Sequence, residues 1–153
     1  GRVYKGKAGV KMYCTLEDIK KAIPEDNIIQ LTDDKNLGKI DETKVLDAIE
    51  YAEQLINGYL RGRYPVPLEP APELIKRLAV DLAVFQLYSR RFELDMPQSM
   101  IDRRKEIIRL LEQIQAGKVL LGIETQDSPG QGYYKTSKKE EDRVFSKELL
   151  NRF

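Results

Sequence analysis

Pro72–Phe92 reads PELIKRLAVDLAVFQLYSRRF, and between Leu78 and Tyr88 only Asp81 and Gln86 interrupt its apolar residues. A helix that is apolar around most of its circumference must be covered on several sides. At about eleven apolar-dominated residues it is also too short to cross a bilayer. Pro72 suits a first helical turn, where its missing N–H has no intrahelical partner to lose. Arg90 and Arg91 suit the last turn, where cations meet the negative end of the helix dipole. The stretch therefore predicts the central helix of a small all-α domain. Two or three long helices should pack around it, with an extended arm at the C-terminal end.

Upstream, Val45, Ala48, Ile49, Ala52, Leu55, Ile56, Tyr59 and Leu60 recur at alternating three- and four-residue steps. That is one apolar stripe on a helix of about six turns, predicted over Glu42–Arg61 with Asp41 as its N-cap. Gly58 and Gly62 near its end mark either a close backbone approach or a fraying terminus. The chain then reads Arg61-Gly-Arg-Tyr-Pro-Val-Pro-Leu-Glu-Pro-Ala-Pro72, with prolines at 65, 67, 70 and 72. Such a run cannot be helical and predicts an extended, polyproline-like connector between two long helices. Arg61, Arg63 and Tyr64 at its start have the chemistry to contact phosphate or a partner's carboxylate. The alternative is a solvated helix end with Tyr64 packed on proline.

Downstream, Met96-Pro97 breaks the chain, and a further amphipathic helix is predicted to about Ala116. Ile101, Ile108, Leu111 and Ile114 face its core side, while Arg103, Arg104, Lys105 and Arg109 crowd the other. A basic helical face suits nucleic acid, but Asp102, Glu106 and Glu112 are interleaved and offer intrahelical pairs. Gly117 is placed to end this helix. Lys118–Ile123, KVLLGI, reads as a short strand or an extended packing segment.

At the other end, Thr15-Leu-Glu-Asp18 resembles a capping box. Leu16, Ile19 and Ile23 mark a two-turn helix that Pro24 ends, and Ile28, Ile29 and Leu31 suggest one further turn. The polar loop Thr32–Asp41 invites comparison with a calcium loop. Lys35, Leu37 and Lys44 fall where oxygen ligands are required, so the match fails and a loop leading to the Asp41 cap remains.

The flanks differ in character. Residues 1–11, GRVYKGKAGVK, are basic and aperiodic and read as a leader or flexible arm. Residues 12–123 make the helical domain. From Glu124 to the end a polar, charge-balanced tail is expected, closing on the apolar Val144, Phe145, Leu149, Leu150 and Phe153. A polar spacer ending in an apolar peptide suits a segment that orders on a partner, or one that packs back on its own domain.

Length and charge narrow the functions further. The 153 residues fit one core, and a net charge of +1 argues against binding polyanions with the whole surface. The single cysteine, Cys14, excludes an intramolecular disulfide framework. With no histidine, neither a histidine-based triad nor a histidine-ligated metal site can be built. No catalytic residue, metal or cofactor is expected. Asp33, Asp34 and Asp41 are the acids nearest to a constellation, and nothing in the sequence sets them opposite a second group.

Taken in order, Met12-Tyr-Cys-Thr-Leu-Glu-Asp-Ile19, the Leu31-Thr-Asp33 turn and Gly38-Lys-Ile-Asp41 form a familiar series. Ala52-Glu-Gln-Leu-Ile-Asn-Gly-Tyr-Leu60, Arg63-Tyr-Pro65 and Arg143-Val-Phe-Ser-Lys-Glu-Leu-Leu150 complete it. The series resembles a family encoded in Mu-like phages and prophages, and the likeness spans nearly all of Met12–Phe153. The resemblance implies a head–tail connector or head-completion protein that assembles as a ring beneath the portal. It implies a homo-oligomer with portal and tail-completion proteins as neighbours, contacting packaged DNA without sequence specificity and no membrane. The expected location is the virion, and the host cytoplasm during assembly. On that picture Arg61, Arg63 and Tyr64 face DNA or a neighbouring subunit, and Val144, Phe145, Leu149, Leu150 and Phe153 form the partner-binding arm. From another class, a small DNA-binding regulator would use the basic helix over 101–116.

Overall fold

Thr15 and Asp18 cap each other. The Thr15 hydroxyl accepts from the Asp18 N–H, and the Asp18 carboxylate accepts from the Thr15 N–H at 2.9 Å. In the computed structural model, which describes residues 12–91 and 93–125, this reciprocal box opens α1 (Leu16–Ala22). Pro24 then acts as the N-cap of α2 (Glu25–Thr32), so the stretch expected to hold a single turn is an eight-residue helix. The difference has a plain cause: a proline that ends one helix also suits the start of the next, where no N–H is needed.

Thr32 closes α2 by donating its hydroxyl to the Ile28 carbonyl and accepting the Asp41 N–H. Asp41 in turn caps α3 (Glu42–Leu60) by accepting the Thr43 N–H. The stripe that marked this helix is its buried face. Val45, Ala48, Ile49, Ala52, Ile56 and Leu60 are buried, with Leu55 and Tyr59 partly so. Gly58 and Gly62 leave open space where a side chain would stand, so neither marks a close backbone approach.

The connector bends and turns rather than running straight, with cis peptide bonds at Val66–Pro67 and Glu69–Pro70. It delivers the chain to α4 (Glu73–Ser89), with Pro72 one position earlier than expected, as the N-cap. Along α4 the buried side chains are Ile75, Leu78, Ala79, Leu82, Ala83, Val84 and Leu87. Their spacing puts most on one face, and Val84 opens a second. Helix α3 is the chief neighbour of α4, α5 (Gln98–Gln115) packs on both, and α1 and α2 cover what is left. The all-α architecture around a central apolar helix therefore stands, and among the described residues there is no strand. None of the described helices is long and apolar enough to cross a membrane.

On α5 the buried positions are Ile107, Leu111 and Ile114, while Ile101 and Ile108 are only half-buried. Leu111 and Ile114 are thus buried as expected, and Ile107 takes the place expected of Ile108. Met100, Arg104, Ile107, Leu111 and Ile114 follow the four–three spacing of one stripe, and the charge at 104 hid it. Gly117, at φ +82°, ends the helix with the Gly117 N–H donating to the Ile114 carbonyl and the Lys118 N–H to Gln113. That pair of bonds is the Schellman arrangement, which favours glycine. Lys118–Ile123 is neither a strand nor extended throughout, bending at 118–119 and again at Gly122, which is at φ +81°. Val119 and Leu121 lie against the core, and Leu120 is 70% exposed.

Candidate functional site

The three residues singled out at the connector have separate fates. Tyr64 is 1% exposed, and its hydroxyl accepts the Leu121 N–H at 3.1 Å. Arg63 reaches across to the end of α5, donating from Nε to the Gln115 carbonyl at 3.3 Å. Its guanidinium lies so close over Gly117 that a Cβ there would stand 2.6 Å from Arg63 Nη2. A cation on the last carbonyls of a helix is favourable. Both side chains therefore tie the connector to the segment that leads into the tail. Arg61, the C-cap of α3, is exposed and faces outward.

The basic face of α5 is likewise divided. Arg103 donates from Nε to Asp81 at 2.8 Å and also lies near Glu106. Arg104 turns inward, its guanidinium 5.1 Å from the centre of the Phe85 ring, a cation–π contact. One Arg104 Nη donates weakly to the Tyr51 hydroxyl at 3.4 Å. Lys105 and Arg109 remain exposed. The expected cationic outer face thus loses Arg104, which shares the buried stripe of Ile107 and Leu111, to the interior and Arg103 to a carboxylate.

The acids of the Thr32–Asp41 loop are also engaged. Asp33 accepts the N–H groups of Leu37 and Gly38 at 2.8 and 2.7 Å, which sets the turn through Asn36 and Gly38, both at positive φ. Asp34 receives Arg90 and Arg91. Hydrogen bonds from Arg90 are the first cause holding its carboxyl below the ordinary range, with the charges of Arg90 and Arg91 adding to them. The same arginines donate to the carbonyls of Leu31, at 2.6 Å, and Gln30, at 2.9 Å. They were expected to serve the end of their own helix. They serve the end of α2 instead. No cluster of three potential metal-ligating acids or thiols occurs among the described residues.

Sequence reasoning missed one buried polar centre. The Tyr13 hydroxyl donates to Asn57 Oδ1 and accepts the Leu68 N–H at 2.9 Å. It joins the chain before α1, the inner face of α3 and the connector. Asn57 and Glu53, one turn apart on α3, are the buried polar groups beside it. The signal available was Asn57, a polar residue next to the apolar stripe. Val144, Phe145, Leu149, Leu150 and Phe153 lie outside the described residues, as do residues 1–11.

Comparison with known proteins supplies what the geometry leaves open. The family model described as "Bacteriophage Mu, Gp36" matches residues 13–137. The chain is 35% identical over 88 residues to the Mu-like prophage FluMu protein gp36 of Haemophilus influenzae, covering 58% of this chain and 60% of that one. It is 29% identical over 115 residues to gene product J of Escherichia phage Mu, covering 74% of this chain and 79% of that one. A match that begins at Tyr13, the residue that pins the N-terminal end to the core, and runs through every described helix means that the chain belongs to the bacteriophage Mu Gp36 family.

Proposed function

We propose that this chain is a structural virion protein, a head–tail connector that assembles as a ring under the portal during phage morphogenesis. Membership of a Mu phage family over residues 13–137 is the observation that carries the reading. The geometry supports a non-enzymatic role. Asp33, Asp34 and Asp41 each bind a loop amide, an arginine or a helix start, and Arg63, Arg90 and Arg91 bind helix ends. Groups already satisfied in this way hold a shape, and they are not poised to exchange protons with a substrate. The partners on this reading are further copies of the chain, the portal and tail-completion proteins, with packaged DNA contacted through its phosphates. Arg61 is the connector residue exposed for such a contact. The protein would reside in the virion and, before assembly, in the host cytoplasm.

The test is a null allele in an inducible Mu-like prophage that carries this gene. The expected lysate contains DNA-filled heads and separate tails, and supplying the gene in trans restores joined particles that contain the protein. Infectious, joined particles lacking the protein would sink the reading.

A further inference from the structure

A cleft of about 300 Å³ opens between the end of α1, the middle of α4 and the first turns of α5. Its apolar lining comes from Ala22, Ile23, Val84 and Met100, and Arg103 and Arg104 stand on one side of it. Arg104 Nε is buried and has no hydrogen-bond partner, the sole such side-chain atom among the described residues. That Nε is shielded from solvent and out of reach of an incoming group, so what Arg104 offers an arriving carboxylate is its Nη edge, held only weakly by the Tyr51 hydroxyl at 3.4 Å. The lining carries two arginines against the single carboxylate of Asp81. Asp81, the acid in the lining, is already held by Arg103. The cleft therefore suits an apolar side chain flanked by carboxylates.

This chain carries such a segment. Glu140-Glu-Asp142 precedes Val144-Phe145 with Arg143 between, and Lys147-Glu148 follows after Ser146. We propose that the cleft receives Val144–Phe145 of a second copy of the chain, with a flanking carboxylate on Arg104. The choice of a second copy rests on the connector reading. A segment of one subunit seated on a different surface of the next is a head-to-tail contact, and repetition about an axis closes such contacts into a ring. Eighteen residues lie between Thr125 and Val144. Such a spacer reaches up to about 60 Å when extended, enough to pass from one subunit to its neighbour.

Cross-linking of the full chain tests this. Ser99, exposed in the lining of the cleft, is replaced as Ser99→Cys, and a second preparation carries Ser146→Cys beside Phe145. Cys14 stays out of the reaction, being 1% exposed with its thiol pushed up to about 12 chiefly by burial. Mixed under mild oxidation, the two variants should form a disulfide-linked dimer at least tenfold faster than Ser146→Cys does with Gln54→Cys, an exposed site on α3. Adding Ala22→Trp, which fills the cleft from an exposed helix end, or Arg104→Met should bring the rate down to that control. Equal rates for the two mixtures would overturn the proposal. So would a Ser99→Cys/Ser146→Cys double variant that closes only within its own chain. The result is read on purified protein, so its failure leaves the phenotype of the null allele, and with it the connector reading, to stand separately.

Discussion

The guanidinium of Arg63 lies across Gly117, and its Nε binds the carbonyl of Gln115, fifty-two residues further along the chain. Two demands for glycine meet at that position. The backbone is at φ +82°, and a Cβ would fall inside the space Arg63 fills. Gly117→Ala should therefore cost about 1–2 kcal/mol, measured by urea denaturation. Part of the loss should vanish when Arg63→Ala is already present, since the arginine no longer obstructs the new methyl group. Strictly additive losses would mean that the guanidinium makes no demand on that space.

The Tyr13 hydroxyl satisfies two buried groups, Asn57 Oδ1 and the Leu68 N–H. Tyr13→Phe keeps the ring and its packing but leaves both groups without their partner. Removing one partner from a buried hydrogen bond costs about 1–3 kcal/mol. The substitution should therefore lower stability by about 2–3 kcal/mol, with an unchanged helical circular-dichroism signal at low denaturant. A loss under half a kilocalorie per mole would indicate that water replaces the hydroxyl.

Asp34 gives the fold an acid-sensitive contact. Its carboxyl is held below the ordinary 3.8, first by hydrogen bonds from Arg90 and then by nearby positive charge. A depressed folded-state value means the contribution is fully present above 3.8 and is lost as pH falls through the lower folded value. Asp34→Asn should therefore melt below wild type by a constant margin from neutral pH to about pH 5. The margin should shrink steadily in more acidic buffer, as wild-type Asp34 is itself protonated. Equal melting of Asp34→Asn and wild type at every pH would show that Arg90 and Arg91 hold α2 through the Leu31 and Gln30 carbonyls alone.

What the sequence made legible divides along physical lines. The stripe from Val45 to Leu60 and the apolar run of α4 appear as regular helices because burial of one face imposes a period that any reader of the chain can see. The caps at Thr15, Asp41 and Gly117 were legible for the same local reason. Arg104 was not, because a charge at a core position reads as an outer face until the helix phase is known. Neither were Arg90 and Arg91. Their proximity to their own helix end is visible, whereas the α2 carbonyls they bind are brought near only by the tertiary fold. Tyr13 and Cys14 fell within the expected domain, but they belong to no periodic element, so nothing in the sequence marked them as buried. At the connector, Tyr64 was read both as a contact and as a packed ring. Only burial separates those readings, and burial is a property of the whole fold.

The same division argues a prediction about the tail. Among the described residues the buried core runs from Tyr13 to Ile114, and the last apolar groups packed against it are Val119 and Leu121. Tyr64 fixes Leu121 by a hydrogen bond, and Arg63 fixes the helix end just before it. A chain ending after Thr125 keeps all of these contacts. It should melt at the same temperature as the full chain under matched dilute conditions, yet fail to enter particles when supplied to the null prophage. A clear drop in melting temperature for the dilute, monomeric protein would place part of 126–153 on the domain's own core. Normal incorporation of the shortened chain would remove the arm from assembly altogether.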